Sequence, residues 1–174
     1  IYSLGIGNDI SFDEEIQAFN NYSCRIYGYN KRVIQKDLRA RYKEINGEFA
    51  ALQIAPVTQK HKNNYALNDL VKFNKDETVE FLKMDIEQSE HDTLMPFLEE
   101  YRVCQLFVEI HGEAQKHTSL LQRIASLDYA LFSFEPNPYC KYCCEYSFIH
   151  LDCMQRYGAS VSKLYLKDIV PALN

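Results

Sequence analysis

The sequence has no apolar run approaching the ~20 residues that cross a bilayer. No membrane span is therefore expected in this chain. It also lacks a strongly charged tail, and its 19 Lys+Arg against 24 Asp+Glu give a net charge of −5. The most basic stretch, Lys31 to Arg41, spaces its apolar residues as a surface helix does. It carries none of the interleaved aromatics of a nucleic-acid patch, so no nucleic-acid partner is expected. An initiator Met and a signal peptide are both missing, and the chain opens on Ile1-Tyr2-Ser3-Leu4, which reads as the inside of a strand. The expectation is an excised domain whose native N-terminal segment precedes its first strand.

What is present fits one domain, residues 1–174, with 47% apolar residues to fill a core. Strand-like and helix-like segments alternate. Strands are predicted over 1–4, 24–29, 49–54, 79–84, 103–108, 129–134 and 145–149, the third stopped by Pro56. Ser11-Phe12-Asp13-Glu14 reads as a capping box, with Ser11 as N-cap and Glu14 at the third helical position. The helix it opens is predicted to bury Phe12, Ile16 and Phe19. Further helices are predicted over 31–41, 67–73, 89–101 and 113–127, with 57–66 irregular. This alternation predicts a Rossmann-like, doubly wound α/β fold with a mostly parallel sheet of about seven strands. Such sheets bind ligands beyond the carboxyl ends of their strands. That rule selects Gly5–Asp9, Asn30, Asp85–Glu87 and Glu109–Gly112, each read as following a strand.

Gly5-Ile6-Gly7 lies between the first strand and a capped helix, where glycine permits a sharp turn and close ligand approach. A dinucleotide site calls for a third glycine and a bare helix start facing pyrophosphate. This helix opens with Asp9, Asp13, Glu14 and Glu15, which repel phosphate and tolerate an ammonium and a sulfonium. Part of that acidity serves the helix dipole. The balance moves from a nicotinamide oxidoreductase toward S-adenosylmethionine.

Ser3 to Asp13 resembles the first motif of the FkbM-type methyltransferases. Leu82-Lys83-Met84-Asp85-Ile86-Glu87-Gln88-Ser89-Glu90 is similar to that family's longer motif, and Val108 to Gly112 and Phe134 to Asn137 resemble its later strand ends. The cysteine-bearing segment Asn137 to Phe148 resembles the branch called methyltransferase-like protein twenty-four. The resemblance implies a class I methyltransferase fold and methyl transfer from S-adenosylmethionine, commonly to an oxygen of a small molecule or glycan. It implies that Gly5, Gly7 and Asp9 surround the amino-acid end of the cofactor, with Asn30 at the ribose and Asp85 beside them. Two positions depart from the pattern: Asn30 stands where the family has Asp, and Gln88 where it has Gly. An Asn offers the ribose one uncharged acceptor, a loss of about 1–2 kcal/mol against a carboxylate. Both departures keep open a second reading, a catalytically silent binding module on the same fold.

Asp85 and Glu87 sit two apart at one strand end, and Glu109 and His111 repeat the spacing at another. A hydroxyl acceptor needs a base near neutral pKa, which His111 supplies, with Asp85 or Glu87 to take or orient the proton. Asp85, Glu87 and His111 are therefore the predicted catalytic residues. Glu90 is assigned to the following helix start. Two of the acids with Asn137 have the chemistry for a divalent cation, but the spacing demands no metal and none is predicted. Cys24 and Cys104 read as buried core. Cys140, Cys143, Cys144 and Cys153 cluster, open to disulfides, to zinc with His150, or to free thiols, with at least one disulfide among the four predicted. Asn21-Tyr22-Ser23 is a glycosylation sequon. The resemblance implies a secreted or lumenal protein.

Overall fold

The computed structural model describes residues 1–7, 9–32 and 36–161. Its first half runs β1 (Tyr2–Leu4), α1 (Ser11–Phe19), β2 (Ile26–Asn30), α2 (Leu38–Glu44), β3 (Gly47–Ala51), β4 (Gln53–Ile54), β5 (Asn64–Tyr65) and α3 (Leu67–Asn74). The second half runs β6 (Val79–Met84), α4 (Glu90–Leu98), β7 (Val103–His111), α5 (Ala114–Ala125), β8 (Tyr129–Pro136) and β9 (Cys143–His150). Seven strands form one sheet in the order β3-β2-β1-β6-β7-β9-β8. The chain winds outward from β1 to β3, crosses back to β6, and winds the other way. The predicted doubly wound, mostly parallel sheet is present, with its switch point between β1 and β6. Among the described strands of this sheet only β9 runs antiparallel, against β7 on one side and β8 on the other.

The strand period of two sorts the side chains onto two faces. Tyr2, Leu4, Leu82, Met84, Leu106 and Val108 pack against Leu70, Val71, Leu94, Phe97 and Ile124 of α3, α4 and α5. Ile26 and Phe81 pack on the other face with Ile10, Leu38, Tyr42 and Phe49. Tyr42 lies over Gly28, where a Cβ would come within 2.2 Å of its ring.

Several local readings are corrected. Ser11 is the first helical residue of α1 rather than its cap; Ile10 precedes it, and Asp9 Oδ1 accepts the Ser11 N–H at 2.8 Å. Glu14 reaches Arg41 at 2.6 Å instead of turning back on the helix start. The buried side chains of α1 are Asp13 and Gln17, whereas Phe19 is 73% exposed. Tyr42 donates to Asp13 Oδ2 at 2.9 Å, while Asp13 Oδ1 is buried without a hydrogen-bond partner among the described residues, and Gln17 Nε2 donates to the carbonyls of Cys24 and Ile45. The basic helix begins at Leu38, and residues 33–35 of the predicted span lie outside the described residues. The third predicted strand divides, because β4 leaves the main sheet to pair with β5, within the stretch read as irregular. Finally, β7 runs on to His111, held there by seven residue pairs with β9 that end at His111↔Cys143.

Candidate functional site

The carboxyl ends of β1, β2 and β6 are tied into one corner. Gly5 N–H donates to Tyr29 O at 2.9 Å, and Asp85 N–H donates to Leu4 O at 3.0 Å. The two glycines of the turn have different reasons for being there. Gly5 has φ +76°, and a Cβ on it would lie 1.4 Å from the carbonyl oxygen of Asp85. Gly5 is thus required by packing and by backbone conformation. A Cβ on Gly7 would meet nothing within 4 Å among the described residues. Asp9 is exposed and spends one oxygen on the start of α1; the Ser11 hydrogen bonds hold its pKa below the ordinary value. Asn30 ends β2 and donates its amide to Arg32 O at 3.1 Å, while no described residue donates to its Oδ1.

His111 is the hub of the second half of the site. Because β7 continues through it, Glu109 and His111 are strand residues on one face, not loop residues following a strand. His111 Nε2 stands 3.6 Å from Glu87 Oε2 and 3.9 Å from both Asp85 Oδ1 and Glu109 Oε2. Its other nitrogen, Nδ1, bonds to Glu90, which is fully buried. Glu90 also accepts the His111 backbone N–H at 3.2 Å. Burial disfavours the imidazolium, but the Glu90 hydrogen bond and the surrounding carboxylates outweigh it, and the His111 pKa is raised. Burial likewise pushes Asp85 up to about 6, opposed by Lys83 and reinforced by Glu109. Asp85 Oδ1 is inaccessible and has no hydrogen-bond partner among the described residues.

The predicted catalytic residues Asp85, Glu87 and His111 thus meet at one point, and Gly5 packs on Asp85 beside them. Glu90 is not spent on capping α4: it grips His111 from behind. Nothing in the sequence distinguishes it from the acids that ordinarily begin helices. His91 also escaped the sequence reading, though its Nε2 sits 2.6 Å from His111 O. Asn137 donates to Glu109 Oε1 at 2.7 Å, and its own oxygen accepts from Tyr139 N, so it supports Glu109 instead of facing an ion. Gln88 stands in the left-handed region at φ +76°, directly after Glu87 at +56°. The glycine expected there has a backbone reason as well as a spatial one.

An open groove of about 1040 Å³ adjoins this cluster, lined by Glu87, Gln88, Asp92, His111, Glu113 and Lys116 among others. The turn between β8 and β9, closed by a Cys140–Cys143 disulfide, also lines it. That bond lies within the predicted cysteine cluster. Cys104 is not simply core, since it is joined to Cys153 across 49 residues. Cys24 and Cys144 are free.

The family model described as the methyltransferase FkbM domain matches residues 1–131. Among solved structures, an rRNA methylase from Escherichia coli is similar at a TM-score of 0.39 and 10% identity, over 86% of this chain. The chain spans 57% of the length of that structure. No curated protein matches.

Proposed function

The chain belongs to the methyltransferase FkbM domain family, and on that premise we propose that it is an S-adenosylmethionine-dependent O-methyltransferase acting on a small molecule or glycan. The observation that carries the reading is the contact between Gly5 and Asp85, which sets the glycine turn beside the Asp85–Glu87–His111 cluster. The residues present fit the cofactor. Gly7 offers a stretch of backbone with no described residue within 4 Å of where its Cβ would be, Asp9 an exposed carboxylate for an ammonium, and Asn30 Oδ1 an acceptor for a ribose hydroxyl. When bound, S-adenosylmethionine supplies a methyl group made electrophilic by its sulfonium.

The chain's own work is to place the acceptor and take its proton. The groove is bordered by amide, carboxylate and ammonium side chains, which suit a ligand with several hydroxyls. A hydroxyl at its inner end meets His111 Nε2 and the carboxylates of Asp85 and Glu87. Glu90 fixes the Nδ1–H tautomer, which leaves Nε2 able to accept a proton. The raised pKa of His111 strengthens it as a base. The two disulfides support maturation in an oxidising compartment, secreted or lumenal.

Calorimetric titration of S-adenosylmethionine tests the reading. Asn30→Asp should bind it more tightly by about 1–2 kcal/mol, because a charged acceptor replaces a neutral one. Equal or weaker binding by the variant refutes the ribose assignment. No binding by either protein refutes the enzymatic reading and leaves the silent binding module.

A further inference from the structure

We propose that Asp85, Glu87 and His111 hold a divalent transition-metal ion of the Mn²⁺ to Zn²⁺ type at the carboxyl ends of β6 and β7. The inference deepens the methyl-transfer reading, since the ion would lie where that reading places the acceptor's hydroxyl and, with His111 Nε2 taken up as a ligand, would replace that nitrogen in easing the hydroxyl's deprotonation. Its first support is spacing. The ligand atoms of the three side chains lie within 4.8 Å of one another. The 3.6 and 3.9 Å separations from His111 Nε2 are too long for hydrogen bonds. They suit donors sharing one ion, since two ligands ~2.1 Å from a metal stand ~3–4 Å apart.

Orientation is the second support. Metal-bound histidines characteristically give their other ring N–H to a carboxylate, which fixes the tautomer and ring plane. Glu90 does this for His111 from a fully buried position. The free Nε2 is thereby aimed among Asp85, Glu87 and Glu109.

The third is an unmet demand. Asp85 Oδ1 is enclosed without a hydrogen-bond partner among the described residues, and it is the oxygen that faces Nε2. Lys83 lies on the opposite oxygen, Oδ2, at 3.9 Å, and gives a hydrogen bond to Gly5 O. Glu109 has Oε1 engaged by Asn137 and keeps Oε2 toward the histidine. Cys143 Sγ also lies near Glu109 and His111, but it is spent in the disulfide.

One imidazole with carboxylates selects borderline ions over Mg²⁺ or Ca²⁺, which take all-oxygen sets. Glu87 is exposed at the groove, so the ion would keep positions open toward it. There it can bind an acceptor oxygen and make its hydroxyl easier to deprotonate.

The test uses the full, oxidised chain without cofactor or acceptor. Mn²⁺ is titrated and followed by electron paramagnetic resonance, and Co²⁺ by visible absorption that reports imidazole nitrogen. One ion per chain should bind. Glu87→Gln should weaken binding by about tenfold or more. Glu135→Gln, an exposed acid in register with Glu145 and through it with Glu109, controls for diffuse acidity and should change binding by less than about twofold. Lack of saturable binding at about 1 mM ion overturns the proposal. So does an equal loss in both variants, or binding that appears only after Cys140–Cys143 is reduced. Parallel titration with S-adenosylmethionine separates the two readings: ion binding without cofactor binding keeps the metal site and removes the methyl-transfer reading, and the reverse removes only the metal site.

Discussion

Replacing the two glycines of the first turn should give opposite phenotypes. In Gly5→Ala, the backbone at φ +76° carries a side chain it does not favour, which costs about 1–2 kcal/mol. The new methyl also falls 1.4 Å from Asp85 O and 2.5 Å from its carbonyl carbon. Both are backbone atoms, and the Asp85 N–H is itself bonded to Leu4 O. Neither strand end can yield without loosening the other, so an overpacking cost of about 1–3 kcal/mol is added. Together, about 2–5 kcal/mol is a large share of the ~5–15 kcal/mol that holds a domain folded. In Gly7→Val the new Cβ meets none of the described residues within 4 Å, and stability should shift by less than about 0.5 kcal/mol. The branched side chain instead fills the space assigned to the cofactor. The assays are urea unfolding and calorimetry with S-adenosylmethionine. The reasoning fails if Gly5→Ala costs under about 1 kcal/mol. It fails equally if Gly7→Val binds the cofactor as the unaltered protein does.

Other outcomes follow from features away from that turn. Gln88→Gly should stabilise by about 0.5–1 kcal/mol, because relief of the left-handed strain exceeds the added chain entropy; a lower urea midpoint would contradict this. Cys153→Ala opens a 49-residue loop and should cost about 2–4 kcal/mol, read from thermal unfolding under oxidising conditions. Burial raises the Asp13 pKa, so the stability it contributes is full below the ordinary carboxylate range and is lost as pH rises through the folded value. Asp13→Asn should therefore gain on the unaltered protein as pH rises above the ordinary carboxylate range, and parallel pH profiles would argue against a buried carboxylate there.

Sheet class and strand sequence were legible because β1, β6 and β7 are apolar at the spacing that buries both faces of a parallel sheet. The meeting of Asp85, Glu87 and His111 was legible too, since strand ends in this fold converge. The full length of β7 was not. Its last residues include Glu109 and His111, and what keeps them in the sheet is pairing with β9, about 35 residues later. The buried face of α1 was read backwards for a related reason. Asp13 and Gln17 go inside because Tyr42 and two backbone carbonyls await them, and those partners come from other elements. Glu90 carries no local mark of its bond to His111. Cys104 sits in an apolar run, and only the return of the chain through β9 brings Cys153 to it.

The place of β9 has a consequence for how the chain is made. It follows β8 in sequence but lies inside β8 in the sheet. While synthesis proceeds, β7 is left with an open edge, and β8 has no strand to join until residue 150 emerges. Cys104 must wait 49 residues for Cys153. At ~5–20 residues per second that wait lasts about 2–10 s. For those seconds the nascent chain presents a bare strand edge and an unpaired thiol together, so the order of translation makes this corner the part of the sheet most exposed to wrong pairing.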